Sequence, residues 1–380
     1  MEKNKSAKAT KKPNKKPRPK YHPSEIRVWW KSLRRFQRFF ILVITIFFLF
    51  CAQAYGLAYW YQQKHKNEPI HLGVTFIADY ANYLGLDPHQ TMMALRDDLG
   101  FKRFRLVSYW EDIEKSPGVY DFTELDWEMQ QVNAVHGTVT LSIGLRQPRW
   151  PECHVPSWAS SEPRSVWYPQ LKNYMTAVIN RYKDNPSLVS YQLENEYYLS
   201  VFANCPDSTK GRLIDEFKLV KSLDSNTPII ISLSNNYLGI PVSQPRPDQY
   251  GVSVYKLVYD KTITHNYFDY PFPTWWYTWR AAMTEIVTGK SSMLHELQAE
   301  PWPPTGILSA SQPELSKSMN AKLLGERIKY GKDTGFKDID LWGGEYWYYE
   351  KIKFNDPSLW NTVLKAVQQA NQENAVKNLK

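Results

Sequence analysis

Short apolar runs recur eight times along this chain, separated by longer amphipathic stretches, and that rhythm restricts the fold more than any other feature. The runs are His71–Ile77, Arg103–Ser108, Val139–Gly144, Leu188–Leu193, Ile229–Leu233, Gly251–Tyr255, Met293–Leu297 and Ile339–Trp342. Runs of this length read as buried strands, and strands that alternate with helices pair in parallel. Eight such units close a ring, so the expected fold class is α/β, a (β/α)8 TIM barrel. Asp87–Leu99, Glu124–Val135, Gln170–Tyr182, Thr209–Lys221 and Ser316–Tyr330 carry helical apolar spacing, and Phe354–Asn374 supplies a final helix. The competing arrangement is an open doubly wound sheet, but no strand-like run is followed by a Gly-rich phosphate loop. Residues 70–375 are therefore expected to form one domain, longer than the roughly 250 residues of a plain barrel. The surplus falls after the third run (Arg146–Arg164) and between the sixth and seventh.

Charge divides the chain differently. Residues 1–38 hold 14 Lys/Arg against Glu2 and Glu25, a net of +12, whereas the whole chain is +9. The remainder thus carries a net −3, which gives no reason to expect nucleic-acid binding by the body. The Lys- and Pro-rich start reads as a disordered basic tail. From Phe39 to Trp60 there are 22 residues without a charge, enough to cross a bilayer core of roughly 30 Å. The basic flank Arg34-Arg35 with Arg38 predicts a cytoplasmic N-terminus, and Tyr59, Trp60 and Tyr61 an outer aromatic belt. The expected layout is a tail (1–38), a single transmembrane anchor (39–61), a polar linker (62–69) and an extracytoplasmic domain. Ala52-Gln53-Ala54 also fits the cleavage site of a signal peptide, a competing reading that the 38-residue lead disfavours. With Cys51 inside the span, Cys153 and Cys205 are left to pair in an oxidising compartment. No Cys/His spacing fits zinc, and no metal site is expected.

Carboxylates stand where two of these runs turn polar. Leu188–Leu193 leads into Glu194-Asn195-Glu196, and the seventh run delivers Glu296. A barrel presents its chemistry at the carboxyl ends of its strands. Two facing carboxyl groups there are what glycosidic bond cleavage requires: one protonates the departing oxygen and the other attacks the anomeric carbon. Glu196 and Glu296 are the catalytic candidates. Glu194 is the rival on the fourth strand, expected on the same face two residues deeper. Glu300, four residues past Glu296, is the rival on the seventh and otherwise a substrate contact. Arg105 lies within the second run, Tyr255 ends the sixth and Trp342 the eighth. Aromatic residues make up 15 % of the chain, and sugar rings lie on aromatic planes. Trp150, Trp158, Trp302 and Trp347 are candidate subsites, and the Tyr267–Trp279 cluster is expected to overhang the mouth.

These residues carry a resemblance. Leu99-Gly100, Phe104-Arg105, Trp110, Glu114, Gly118–Phe122 and Leu125-Asp126, followed by Asn195-Glu196 and Glu296, resemble the retaining glycoside hydrolases of clan A. They are most similar to family 42 β-galactosidases and family 5 cellulase-like enzymes. The resemblance implies Glu196 as acid/base, Glu296 as nucleophile and Asn195 on the sugar 2-hydroxyl. It implies that Tyr255 orients Glu296, that Arg105 supports it and that Trp342 floors the first subsite. It also implies retention through a glycosyl-enzyme, an oligo- or polysaccharide substrate and no metal or organic cofactor. His295 before Glu296, and Gly343-Gly344-Glu345 after Trp342, depart from the pattern and leave the sugar open. A surface carbohydrate-binding protein on a decayed barrel, or a transglycosylase of envelope glycans, would use the same scaffold.

Overall fold

The computed structural model describes residues 23–199 and 205–378. All eight runs are strands: β1 (His71–Thr75), β2 (Arg103–Val107), β3 (Thr138–Ile143), β4 (Leu188–Leu193), β5 (Ile229–Leu233), β6 (Gln249–Val254), β7 (Ser291–Gln298) and β8 (Asp338–Trp342). They form one closed parallel barrel in which β1 pairs with both β2 and β8, starting at His71↔Asp338. The hydrophobic core is the layer between barrel and helices. Val74, Phe104, Leu106, Leu141, Ile143, Leu193, Ile231, Leu294 and Leu341 are fully buried there, each contributing about 1.5–3 kcal/mol.

The barrel interior is polar instead. Arg103 donates to Asp340 at 2.7 Å, Thr140 and Ser190 share a hydrogen bond of 2.9 Å, and Ser142 donates to Gln192 at 3.0 Å. Glycines make the room. A Cβ at Gly73 would sit 2.3 Å from Asp340 Oδ1, and one at Gly251 would sit 2.8 Å from the His295 Cβ.

Helices differ from expectation where capping chemistry intervenes. The predicted Ser316–Tyr330 helix is two, Gln312–Ser318 and Ala321–Asp333, because the Asn320 side chain accepts from Leu323 N and starts a new helix. After β8 come Gly344–Lys353 and then Ser358–Asn378. The aromatic stretch after β6 does not simply overhang the mouth. Leu257–Tyr259 and Tyr267–Asp269 make a hairpin, while Thr274–Thr288 is a helix opened after Pro273 and closed by left-handed Gly289. Trp275 on that helix packs against Tyr55 at 5.5 Å, on the flank of the barrel.

Arg35–His65 is a single helix of 31 residues, long and apolar enough to cross a membrane. It runs past the expected end of the anchor. Ala54, Ala58 and Tyr61 are buried, Gln62 donates to Asp333 O at 3.1 Å and His65 meets Glu285 at 3.1 Å, so the expected linker begins as docked helix. The basic tail before residue 23 lies outside the described residues.

Cys153 and Cys205 form a disulfide, with 5.5 Å between their Cα atoms and 52 residues of sequence separation. It ties the loop after β3 to the loop after β4. Replacing both cysteines by Ala is expected to lower unfolding stability by about 2–4 kcal/mol, measured by urea denaturation. An unchanged midpoint would show that the loops need no staple.

Candidate active site

Arg105 organises the mouth. Its guanidinium, fully buried on β2, donates to Gln192 at 2.7 Å, to Glu296 at 2.7 Å and to Asn195 at 3.1 Å. It therefore links β4 and β7 across the barrel. The other Glu296 oxygen accepts from the Tyr255 hydroxyl at 2.8 Å. Burial raises the Tyr255 hydroxyl well above the usual phenol value, and the charges of Glu296 and Glu196 add to it. Tyr255 thus stays a donor at any working pH.

Backbone irregularities aim both carboxylates. On β7, the pairs Val252↔Leu294 and Ser253↔Glu296 skip one residue, as do Ile339↔Leu294 and Leu341↔Leu297 on the other side. His295 is thus a β-bulge residue against both neighbours. Its ring is buried 3.9 Å from Asp340, and burial together with Arg105 and Arg103 holds it well below the usual histidine range. The unusual residue before Glu296 is what lets two successive side chains face inward. On β4, Glu194 (φ 58°) and Glu196 (φ 44°) are both left-handed, a rare state for residues with a Cβ.

Those turns separate the two rivals. Strand alternation places Glu194 under Glu196, but its carboxylate instead lies beneath the loop after β3. There it accepts from Leu145 N at 2.7 Å and Arg146 N at 3.1 Å and takes both Arg212 nitrogens at 2.9 Å. Glu194 is a loop anchor. Glu196 follows Asn195 and takes no ion pair among the described residues. Burial first, and the charge of Glu296 second, push its carboxyl up to about 7. Its backbone N–H donates to Ser232 Oγ at 2.8 Å, which fixes the turn.

Glu300 joins a second cluster at the same mouth. It accepts from Trp342 Nε1 at 2.8 Å and from both Arg149 terminal nitrogens at 3.1 and 3.4 Å. Arg149 stands 4.5 Å from the Trp342 ring centroid, covering part of the indole expected to floor a sugar. Trp150 is exposed at the rim, and Trp302 meets Tyr255 edge-on at 5.3 Å. Trp347 is buried, donating to Ala299 O, and Trp158 donates to Glu114 O against Trp110, so both are packing residues. Sequence reasoning gave no role to three groups near the site. Arg146 grips Glu152 and donates to the Glu196 carbonyl at 3.2 Å. Glu152 is raised by burial and feels Glu296. Glu345 accepts from Ile77 N at 2.6 Å and is pushed up to about 7, chiefly by burial. Arg146 and Glu152 lie in the surplus loop after β3, which was the available signal. Among the described residues no group of three or more His, Cys, Asp or Glu could hold a metal ion.

No family model matches the chain, and no curated protein sequence does. Solved structures share its fold. A GH42 β-galactosidase from G. stearothermophilus superposes with TM-score 0.52 at 13 % identity, covering 81 % of this chain and 57 % of that one. The exo-β-1,4-mannosidase Op5Man5 from Opitutaceae bacterium strain TAV5 gives 0.52 at 14 % identity, over 80 % and 60 %. A GH10 endo-β-1,4-xylanase from Gloeophyllum trabeum gives 0.53 at 12 % identity, over 79 % and 96 %. The chain thus spans little more than half of the β-galactosidase it matches.

The two glutamates flanking Asn195 should respond oppositely to neutralisation. Glu194→Gln takes from the buried Arg212 its bidentate partner, leaving only Glu216 at 2.7 Å, and is expected to cost about 3–5 kcal/mol. Glu196 has a folded value near 7 against 4.5 for an ordinary Glu. Its stabilising proton is fully present below that ordinary value and lost as pH rises through about 7. At pH 8 Glu196→Gln should therefore melt higher than wild type, by on the order of 2 kcal/mol. Thermal melts at acidic and alkaline pH check both, and a Glu196→Gln protein less stable at pH 8 contradicts the placement.

Proposed function

We propose that this chain is a retaining glycoside hydrolase in which Glu196 is the acid/base and Glu296 the nucleophile. The observation that carries the reading is the Arg105 fork, which joins the ion-paired Glu296 to the Asn195-Glu196 turn at the carboxyl end of the barrel. Arg105 and Tyr255 aim the carboxylate that must attack the anomeric carbon. Glu196, raised to about 7, holds a proton for the departing oxygen near neutrality and then takes one from the incoming water. Asn195, oriented by Arg105 and Gln192, lies beside the position of a sugar hydroxyl. A binding protein would gain nothing from an acid raised beside an ion-paired carboxylate, which favours catalysis over a decayed barrel.

The membrane placement belongs to the same proposal. The Arg35–His65 helix is long enough to span, and the Cys153–Cys205 bridge fits an oxidising compartment, so the barrel is assigned to the extracytoplasmic side. The full-length protein should resist alkaline carbonate extraction from membranes. Release into the supernatant would reject an integral anchor.

Catalysis should decline as pH rises through about 7, because the acid form of Glu196 is lost there. A kcat/KM profile flat across that range would remove Glu196 from the role. Glu196→Gln should lower kcat/KM for glycosides with poor leaving groups by about 10²–10⁴-fold and spare kcat/KM for dinitrophenyl glycosides, whose departure needs no proton, while their kcat falls because the water that releases the sugar has lost its base. Glu296→Ala should abolish turnover of both. Proton NMR of the first product should show the anomer of the substrate, and the inverted anomer would refute a glycosyl-enzyme.

A further inference from the structure

The chain joins the barrel at its catalytic end. The helix Thr274–Thr288 follows Tyr255 and the hairpin and leads into β7, so it begins beside the mouth and ends at the foot, where the strands start. Ala54–His65 lies along its flank in the same sense. Tyr55 meets Trp275 in the first turn, with ring centroids 5.5 Å apart, and His65 Nε2 meets Glu285 in the last turn at 3.1 Å. Ten residues separate the two contacts on both helices. Gln62 donates to Asp333 O, shortly before β8 begins, which also marks the foot. Ala54 therefore stands at the mouth end and His65 at the foot.

Length sets the depth of that rim. A hydrocarbon core of roughly 30 Å needs about 20 apolar residues. Between Arg38 and Ala54, the first buried residue of the Arg35–His65 helix, there are only 15 residues. They cover roughly 22 Å at about 1.5 Å each. The last part of the core is thus crossed by residues already docked on the barrel, and no free linker separates the span from the mouth. Rings continue from that point across the rim. Tyr55, Trp275, Trp276, Phe272, Tyr270 and Phe268 make five successive contacts at 5.0–6.3 Å. Phe268, at the far end, stands 40 % exposed on the hairpin after β6. Tyr and Trp rings at the end of a span are the interfacial belt of a membrane protein, and here the belt extends onto the mouth.

We propose that this rim rests on the extracytoplasmic leaflet and that the substrate is the sugar headgroup of a lipid in the same membrane. The inference rests on the hydrolase and anchor readings above. Glu196 gives its proton to the oxygen of the lipid alcohol, which stays in the bilayer, and the sugar passes to Glu296. Water then gives its hydroxyl to the sugar and its proton to Glu196, which frees both carboxyl groups. A mouth tethered this closely favours headgroups in its own leaflet, since confinement raises their effective concentration without any new contact.

The test takes the full-length protein in phosphatidylcholine vesicles, after a panel of p-nitrophenyl glycosides has identified the sugar. The octadecyl glycoside of that sugar, placed in the same vesicles, is compared with the water-soluble ethyl glycoside, whose leaving alcohol is chemically alike. The expected kcat/KM is about a hundredfold higher for the octadecyl form, an advantage lost when that form is supplied in separate vesicles. Depth is read independently of activity. A fluorophore is attached to Phe268→Cys at the mouth or to Val287→Cys, an exposed site near the foot, each in a Cys51→Ser background. Nitroxide-labelled lipid should quench the first label and not the second. Equal quenching, or stronger quenching at the foot, overturns the seating of the rim. Quenching at the rim with equal rates on both glycosides overturns the lipid substrate in favour of a soluble glycan. Either result leaves the hydrolase reading intact. Failure to cleave any aryl or alkyl glycoside removes the hydrolase reading and this inference with it.

Discussion

Arg105 carries a positive charge into the barrel interior, wholly screened from solvent, and such a charge is tolerated only if its donors are met. Two other strands supply the acceptors. Gln192 and Asn195 come from β4 and its turn, and Glu296 comes from β7. Gln192 in turn accepts from Ser142 on β3 and donates to Asn195 at 2.9 Å. The network therefore fixes the mouth from β2 round to β7 through one guanidinium. Lys could not replace it, since a point charge lacks the planar fork that meets several acceptors at once.

Below that network lies a second charged layer, Arg103 with Asp340 and the neutral His295. Barrels of this class ordinarily fill the interior with branched aliphatic side chains. Here Gly73 and Gly251 give up their own volume so that Asp340 and His295 fit. The arrangement shifts the hydrophobic stabilisation to the strand–helix interface, where the buried aliphatics are concentrated, and reserves the interior for polar positioning. The bulge at His295 shows the coupling between layers. The extra residue that fills the lower layer turns Glu296 toward Arg105 in the upper one.

The barrel was legible in the sequence because strand length and alternation are local properties. The eight runs coincide with the eight strands to within a few residues. The Cys153–Cys205 pairing was legible too, from compartment and position. The charged fork was visible only as types in place: Arg105, Asn195, Tyr255 and Glu296 could be named, but their distances depend on barrel closure. Glu194 misled because alternation presumes a regular strand, and two left-handed residues break it. Trp347 and Trp158 misled because an indole in a mouth loop and an indole in the core read alike until burial is known. The Thr274–Thr288 helix hid inside an aromatic cluster that was expected to overhang the mouth as a whole, and Pro273 opens it.

Glu194 and Glu196 are the same residue type, two positions apart, and their surroundings assign them opposite work. Glu194 is met by a bidentate guanidinium and two backbone N–H groups, so its charge is spent in holding the β3 loop down. Glu196 is buried without such partners and near another carboxylate, so it retains a proton that it can give away. The loop Glu194 holds is the one that carries Arg146, which in turn binds the Glu196 carbonyl. The fixed charge thus positions the mobile proton. On the proposed reading Glu196 serves as the acid because burial and the charge of Glu296 keep its proton on, while Glu194 holds the Arg212 guanidinium.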